Sequence, residues 1–485
     1  MLKGNKLKLM FKLNRYIPVL LFTVLYAAGC KIPAGTQITE NRTTPSSYGS
    51  NSDTTNAASI QWRRFFTDRY LVSLIDTALQ NNQELNITFQ ELEIARNEIR
   101  LRQAPLSPVV GIRAGAGVEK VGRYTSQGAG DASTEIKPGK EVPDPLTDFV
   151  AGAYASWELD IWKKLRNAKK AAITRYLSSV EGRNFVITDL VAEVANSYYE
   201  LLALDNQLEI VRQNIALQKN ALEIVKIQKS AAKVTELAVQ KFEAEVLGSQ
   251  GVEYDLLQRT RETENRINFL LGRFPQPILR ERSDFLTTAN PVINSGTPAQ
   301  LLANRPDVKR AELDLAAAKL DVKVARAEFY PSIGLSGGIG FQSFRPSYLL
   351  TFPESLLYSL AGDLAAPLVN RNGIKAEYAS ANARQVQAVF NYQRSILNAY
   401  MEVSTQLSNI ENLQKKYDLK AQQVEALKRS IDISNLLFSS ARADYLEVLM
   451  TQRDAFETRL ELVETKRDQL NAAVNVYRNL GGGWR

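Results

Sequence analysis

The sequence predicts a mainly α chain that also carries membrane β-strands, built as two internal structural repeats. Three observations predict it. First, one set of motifs occurs twice. Ala104, Pro108-Val109-Val110-Gly111-Ile112, Gly115 and Gly117 return as Ala327, Pro331-Ser332-Ile333-Gly334-Leu335, Gly338 and Gly340. Further on, Glu193-Val194 answers to Glu402-Val403, Leu237 to Leu446, and Leu271-Gly272 to Leu480-Gly481. Such self-similarity points to a pseudo-symmetric structure, not to one asymmetric pocket. Second, very long stretches lack helix breakers. Third, four short stretches alternate with period two.

The N-terminus comes first in chain order. Lys3, Lys6, Lys8, Lys12 and Arg15 precede an apolar run that ends at Ala27-Ala28-Gly29-Cys30. Basic residues, a short apolar run and small residues read as a secretory signal over 1–29. Small residues directly before the single cysteine predict lipid attachment at Cys30. That covalent lipid is the only bound group the sequence predicts. Lys31, where Asp would favour retention at the inner membrane, is consistent with delivery to the outer-membrane lipid. Residues 30–59, rich in Ser, Thr, Asn and Gly, read as an extended tether. The aromatic cluster Trp62, Phe65 and Phe66 is expected to pack onto the body.

The first repeat is assigned to 60–275. Residues 71–101 have helical spacing, stopped by Pro105 and Pro108. Alternation follows at about 107–121 and 147–160. Val110, Ile112, Ala114, Ala116 and Val118 take one side; Gly111, Arg113, Gly115, Gly117 and Glu119 take the other. A connector spans 276–300, and the second repeat covers 301–485, with strands at about 331–343 and 355–367. Each strand is close to the length that crosses a bilayer at a tilt. Apolar-out, polar-in alternation is the pattern of a transmembrane barrel. A soluble sandwich with one wet face is the bland alternative. Arg113, Glu119, Tyr154 and Glu158 fall on the polar side and read as a wet lumen lining. Four strands cannot close a barrel, and an open sheet edge in lipid leaves backbone groups unpaired. Strands must then be pooled between copies.

The remainder reads as helix. No proline lies between Pro145 and Pro275, and neither Pro nor Gly occurs from Ile374 to Leu480. A single rod over that second stretch would reach about 160 Å, and a hairpin folded midway would have arms of about 80 Å. Apolar residues recur at three- and four-residue steps: Val191, Val194, Ala195, Tyr198 and Leu202 in one arm, Leu436, Leu437, Leu446 and Leu449 in another. Bends are expected at 229–235 and 439–444.

Composition excludes several functions. The chain has no His and one Cys. Most metal sites, Ser–His and Cys–His catalysis and an internal disulfide are thereby removed. No catalytic or metal-binding residue is assigned, and the chain is read as a non-enzyme. The formal charge is +8, but five cations precede Cys30 with no acid among them, so charge does not support nucleic-acid binding. No phosphate-cradling motif appears, so transport through this chain alone would be downhill.

Several motifs together resemble a known family. Trp157, Glu158, Leu159, Asp160, Ile161, Trp162, Lys163, Lys164, Leu165 and Arg166 look like the segment leaving the second barrel strand of TolC-like outer-membrane efflux channels. Asn304-Arg305-Pro306-Asp307, Ala325-Arg326-Ala327 with Tyr330-Pro331, Ala366-Pro367-Leu368-Val369-Asn370 and the terminal Leu480-Gly481-Gly482-Gly483-Trp484 are similar to it too. The likeness runs from about Trp62 to Trp484, and Cys30 places it with the lipidated, NodT-type subgroup. The resemblance implies a homotrimer, four strands per subunit forming one twelve-stranded barrel, continued by a long periplasmic α-helical barrel. It implies the exit duct of a tripartite pump, with a periplasmic adaptor (membrane fusion) protein and an inner-membrane transporter, of RND type. Small molecules such as drugs, toxic compounds or metal ions would pass passively to the outside.

In this family the periplasmic end is closed by side chains near the hairpin tips. By position these are Phe438, Arg442, Asp444 and Glu447 in the second repeat, and Lys233 and Glu236 in the first. Family members usually carry glycine at each tip, where this chain has Ala232 and Ala441. Docking of the adaptor on a solvated hairpin end is the alternative role for these charges. Two other readings of the chain stay open: a duct for type I protein secretion, and a periplasm-spanning structural lipoprotein without a pore.

Overall fold

The computed structural model describes residues 32–35, 38–48, 56–281, 285–289, 291, 294–366, 371–440 and 442–485. The expected signal segment, Cys30, Ala441 and Pro367 to Asn370 lie outside the described residues. The chain divides into two compact units. One holds Ala95–Arg175 and Leu315–Val389 with the described residues before Glu40; the other holds the described residues of Glu40–Ile94, Tyr176–Asp314 and Phe390–Arg485.

The described helices are α1 (Trp62–Phe65), α2 (Arg69–Asn81), α3 (Gln83–Gln103), α4 (Ser126–Asp131), α5 (Lys164–Ser230), α6 (Glu236–Leu270), α7 (Leu301–Asn304), α8 (Pro306–Ala327), α9 (Asn372–Ser439) and α10 (Tyr445–Asn479). The strands are β1 (Val109–Glu119), β2 (Glu135–Lys137), β3 (Lys140–Glu141), β4 (Leu146–Leu159), β5 (Ser332–Ser343) and β6 (Leu356–Ala365). None of the described helices is long and apolar enough to cross a membrane.

In the first unit, four strands form one antiparallel sheet in the order β1-β4-β5-β6. Its register aligns the alternation of every strand. Gly111 faces Tyr154, which faces Gly338, which faces Ser359; Ile112 faces Ala153, then Ile339, then Tyr358. Directly paired residues share a face, so the apolar sides of all four strands merge into one surface. β2 and β3 form a separate two-stranded ribbon within the connection from β1 to β4.

The second unit is helical. The stripe Val191, Val194, Ala195, Tyr198 and Leu202 is buried, together with Trp62, Phe65 and Phe66. Phe65 stacks on Tyr477 at 4.1 Å, and Tyr477 Oη donates to the Ile60 carbonyl at 2.6 Å. Each large apolar side chain buried here contributes about 1.5–3 kcal/mol. Asp68 caps α2 by accepting from Tyr70 N at 2.7 Å, and its other oxygen accepts from Tyr198 Oη at 2.7 Å.

The repeat persists to single atoms. α6 and α10 each have 35 residues. Both end in Leu-Gly with glycine at positive φ, 66° at Gly272 and 91° at Gly481. Any Cβ at Gly272 would lie 2.3 Å from the Asn81 carbonyl oxygen, and one at Gly481 would lie 2.6 Å from that of Asn304. Left-handed backbone and close approach together require glycine at both sites.

The bends fall where the sequence places them, but the arms are unequal. α9 has 68 residues and α10 has 35, so the hairpin is not folded midway. The reason is that α9 has two successive partners. Its first part packs Tyr378 and Ala381 against Ala325 of α8 and Phe329 just beyond it. Only its later part pairs with α10, as where Gln469 Nε2 donates to the Leu413 carbonyl at 3.3 Å. The second predicted stripe also differs from expectation. Leu449 is buried, but Leu436, Leu437 and Leu446 are exposed in the single chain.

Ala232 adopts φ 55°, completing a helix stop in which Lys233 N donates to Gln228 O and Ala232 N to Lys229 O, both at 2.9 Å. The hydrogen-bond pattern is the one glycine usually supports. Left-handed backbone costs a Cβ-bearing residue about 1–2 kcal/mol, partly offset by the greater unfolded entropy of glycine. Ala232→Gly is therefore expected to stabilise the turn by up to about 1 kcal/mol. Slower hydrogen exchange of the amides at 231–235 would show it; faster exchange would refute it.

Candidate functional site

The sheet carries the first part of the site. Arg113 sits in β1 opposite Gly152, and Glu119 ends β1 opposite Leu146. Tyr154 lies opposite Gly111, and its ring covers that glycine so closely that a Cβ there would meet it at 2.6 Å. Glu158 lies opposite Gly334, which in turn faces Asp363. All four predicted lining residues therefore share one face. That face also carries Asp148, held by Gln342 Nε2 at 3.0 Å, and a pocket of about 600 Å³ lined by Arg113, Tyr154 and Ser359.

The same face is rich in glycine, and the geometry explains why. Gly152 and Gly340 are direct partners. A Cβ on Gly340 would lie 2.5 Å from Ala151 O and 2.6 Å from Gly152 Cα. At this pair the strands approach so closely that no side chain fits, as a sheet curled toward this face requires. The other face is apolar and open, with Ile112 89% and Leu360 87% exposed. β1 and β6 end the sheet without further strand partners among the described residues.

Below the sheet strands, Glu158 receives an ion pair from Lys164 at 2.6 Å, and Lys164 also lies 3.8 Å from Glu328. Sequence reading missed this pairing. The six-residue offset between Glu158 and Lys164 spans a strand end and a turn, so neither strand nor helix periodicity reveals it.

The hairpin ends carry the second part. Glu236 opens α6 and pairs with Lys229, while Gln240 Nε2 donates to it at 3.0 Å. Those hydrogen bonds, that from Lys229 foremost, hold the Glu236 carboxyl below its usual range. Lys233 is exposed just before it. In the second hairpin Arg442 N closes the end of α9 on Leu437 O at 2.8 Å, and Glu447 N donates to Asp444 O at 3.1 Å. Asp444 sits at the start of α10, but its side chain makes no capping bond. The chain does not bring Arg442 or Lys233 into an ion pair with Asp444 or Glu447 among the described residues. Phe438 lines a cleft of about 400 Å³ together with Leu217, Ile224, Phe242, Val448 and Phe456. That cleft joins residues of α5, α6, α9 and α10, and only the tertiary pairing of the two hairpins creates it.

The chain as a whole has counterparts among known proteins. The sequence profile described as outer membrane efflux protein matches residues 74–273 and 297–482. The chain is 30% identical over 426 residues to the pyoverdine export outer membrane protein OpmQ of Pseudomonas aeruginosa, covering 88% of each. It is 27% identical over 479 residues to the probable outer membrane lipoprotein SilC of Salmonella typhimurium, covering 95% of this chain and 97% of that one. A crystal structure of CusC has the same fold, with TM-score 0.81, 24% identity and coverage of 93% and 99%. An open-state structure of the MtrE channel of Neisseria gonorrhoeae also matches, with TM-score 0.81, 22% identity and coverage of 94% and 98%. A profile match over both repeats, together with a four-stranded sheet and paired long helices, identifies this chain as a member of the outer membrane efflux protein family, the outer-membrane channels of tripartite efflux systems.

Proposed function

We propose that three copies of this chain pool their strands into one closed twelve-stranded barrel, the outer exit of an efflux assembly. The supporting observation is the sheet itself: one continuous apolar face, one glycine-rich polar face, and two unpaired edges in β1 and β6. In lipid, every backbone N–H and C=O on those edges needs a partner. Pairing β1 of one copy with β6 of the next satisfies them all. The polar face, with Arg113, Glu119, Tyr154 and Glu158, then lines the lumen. The exposed Leu436, Leu437 and Leu446 are available for contacts between hairpins of neighbouring copies. Purified protein should run as a trimer and conduct ions in planar bilayers; a stable non-conducting monomer would end this reading.

The hairpin ends serve as the aperture, and a periplasmic adaptor opens it by binding the open arrangement more tightly. An inner-membrane transporter of RND type supplies the energy, and lipid on Cys30 adds an anchor. Named cargoes of the relatives, pyoverdine for OpmQ and cations for CusC, suggest small solutes as the load. Arg442, exposed and without an ion partner among the described residues, sits where three symmetry-related copies would converge. Charged rings at a constriction control passage. Arg442→Ala is expected to raise single-channel conductance. Conductance equal to wild type would remove Arg442 from the aperture while leaving the barrel assignment intact.

A further inference from the structure

The start of α5 carries a charged stripe that the channel reading does not use. The apolar face of the sheet ends at Leu159, Ile333 and Leu364. Two indoles stand at this end. Trp157 donates Nε1–H to Leu106 O at 3.2 Å, and Trp162 donates to Pro331 O at 2.7 Å while stacking on Tyr330 at 4.7 Å. Both rings remain partly exposed with their N–H groups satisfied, the arrangement of aromatic residues at a membrane–water boundary.

Five cations follow at once: Lys163, Lys164, Arg166, Lys169 and Lys170. Lys164 is taken by Glu158 and Glu328, while Arg166 binds Asp160 through Nε at 2.9 Å and Nη2 at 2.6 Å, with Nη1 remaining for a further acceptor. Lys163, Lys169 and Lys170 form no ion pair among the described residues. Lys163 directly precedes α5, Arg166 and Lys170 lie four residues apart on one face of it, and all three are exposed. Asp160 already accepts from the amides of Leu165 and Arg166, both at 2.9 Å. It is thus the side chains that are left to meet an anion. Lys163 also holds φ 61°, a left-handed conformation in which glycine would be less strained. A lysine there is explained by what its charge does, not by local backbone preference.

We propose that Lys163, Arg166 and Lys170, beside the Trp162–Tyr330 stack, hold the anionic headgroup of a phospholipid in the leaflet at this end of the sheet. The partner is a lipid such as phosphatidylglycerol. Its phosphodiester meets the cations and its acyl chains lie along the apolar face. Lysine and arginine stems reach a headgroup while the indoles fix the depth. The inference rests on the sheet spanning the membrane.

The test is lipid selectivity of the full chain in vesicles of phosphatidylethanolamine containing spin-labelled phosphatidylglycerol or spin-labelled phosphatidylethanolamine. Wild type should prefer the anionic probe. Each cation removed should weaken that preference about fivefold, since one cation near an anionic surface is worth about that factor. The variant K163Q/R166Q/K170Q should lose the preference. Equal preference in wild type and variant, or none in wild type, would overturn the proposal. Lys163→Gly provides the folding control: it should raise Tm in neutral detergent, by relieving the backbone, while lowering lipid selectivity. A variant that loses Tm in neutral detergent and keeps its selectivity would assign Lys163 to an ion pair between copies and overturn the lipid site. Conductance measured in parallel separates failure of this site from failure of the channel.

Discussion

Gly340→Ala is expected to disrupt the sheet and abolish insertion, although it adds a single methyl group. The new Cβ would sit 2.5 Å from Ala151 O and 2.6 Å from Gly152 Cα, both backbone atoms of β4. A side chain could rotate aside; a hydrogen-bonded strand cannot, so β4 and β5 must separate along the register that joins them. The cost should reach or exceed the ~3 kcal/mol upper end of ordinary overpacking. Gly334→Ala, on the same strand and the same face, is the matched control. Its Cβ would have no atom closer than Asp363 Cβ at 4.0 Å. Alanine there should be neutral or slightly stabilising. Sheet content by circular dichroism and resistance to dissociation by detergent would distinguish the two variants. Equal behaviour of both would show that strand closeness at Gly152 and Gly340 does not govern folding.

The second large effect concerns Arg280. Its guanidinium is 5% exposed and grips three elements. Nε and Nη2 donate to Asp205 of α5 at 2.5 and 2.9 Å, and Nη1 donates to Glu264 of α6 at 2.8 Å and to the Ile278 carbonyl at 2.9 Å. Arg280→Ala removes the cation that joins two largely buried carboxylates, although Glu264 keeps Arg261 at 3.8 Å. Removing one partner of such a group costs about 3–5 kcal/mol. Thermal unfolding of the variant should show that loss near neutral pH. A variant as stable as wild type would show that this guanidinium does not tie the connector to α5 and α6.

Neither effect is readable from residues alone, but the elements that carry them are. Alternation marked the strands, because a side chain on a strand meets one of two solvents in turn. The absence of Pro and Gly over long spans marked the helices, because either residue would interrupt the hydrogen-bond ladder. Recurrence of Leu-Gly and Pro-x-x-Gly marked the two repeats. That Arg113, Glu119, Tyr154 and Glu158 share one face of the sheet was readable for the same reason as the strands.

Partnerships were not readable. Nothing in the sequence pairs Arg280 with Asp205 and Glu264, since the ion pairs cross between elements far apart in the chain. Nothing announces that Lys229, and not Lys233, holds Glu236, because both lysines lie within reach of that turn. The unequal arms of α9 and α10 depend on α8 packing beside the first part of α9, which periodicity cannot register. By itself the sequence determined the alternation, the breaker-free lengths and the doubling, because each follows from local backbone rules. Only the tertiary structure decided strand order, register, the Gly152–Gly340 approach and the charge partners, because these depend on which distant segments meet.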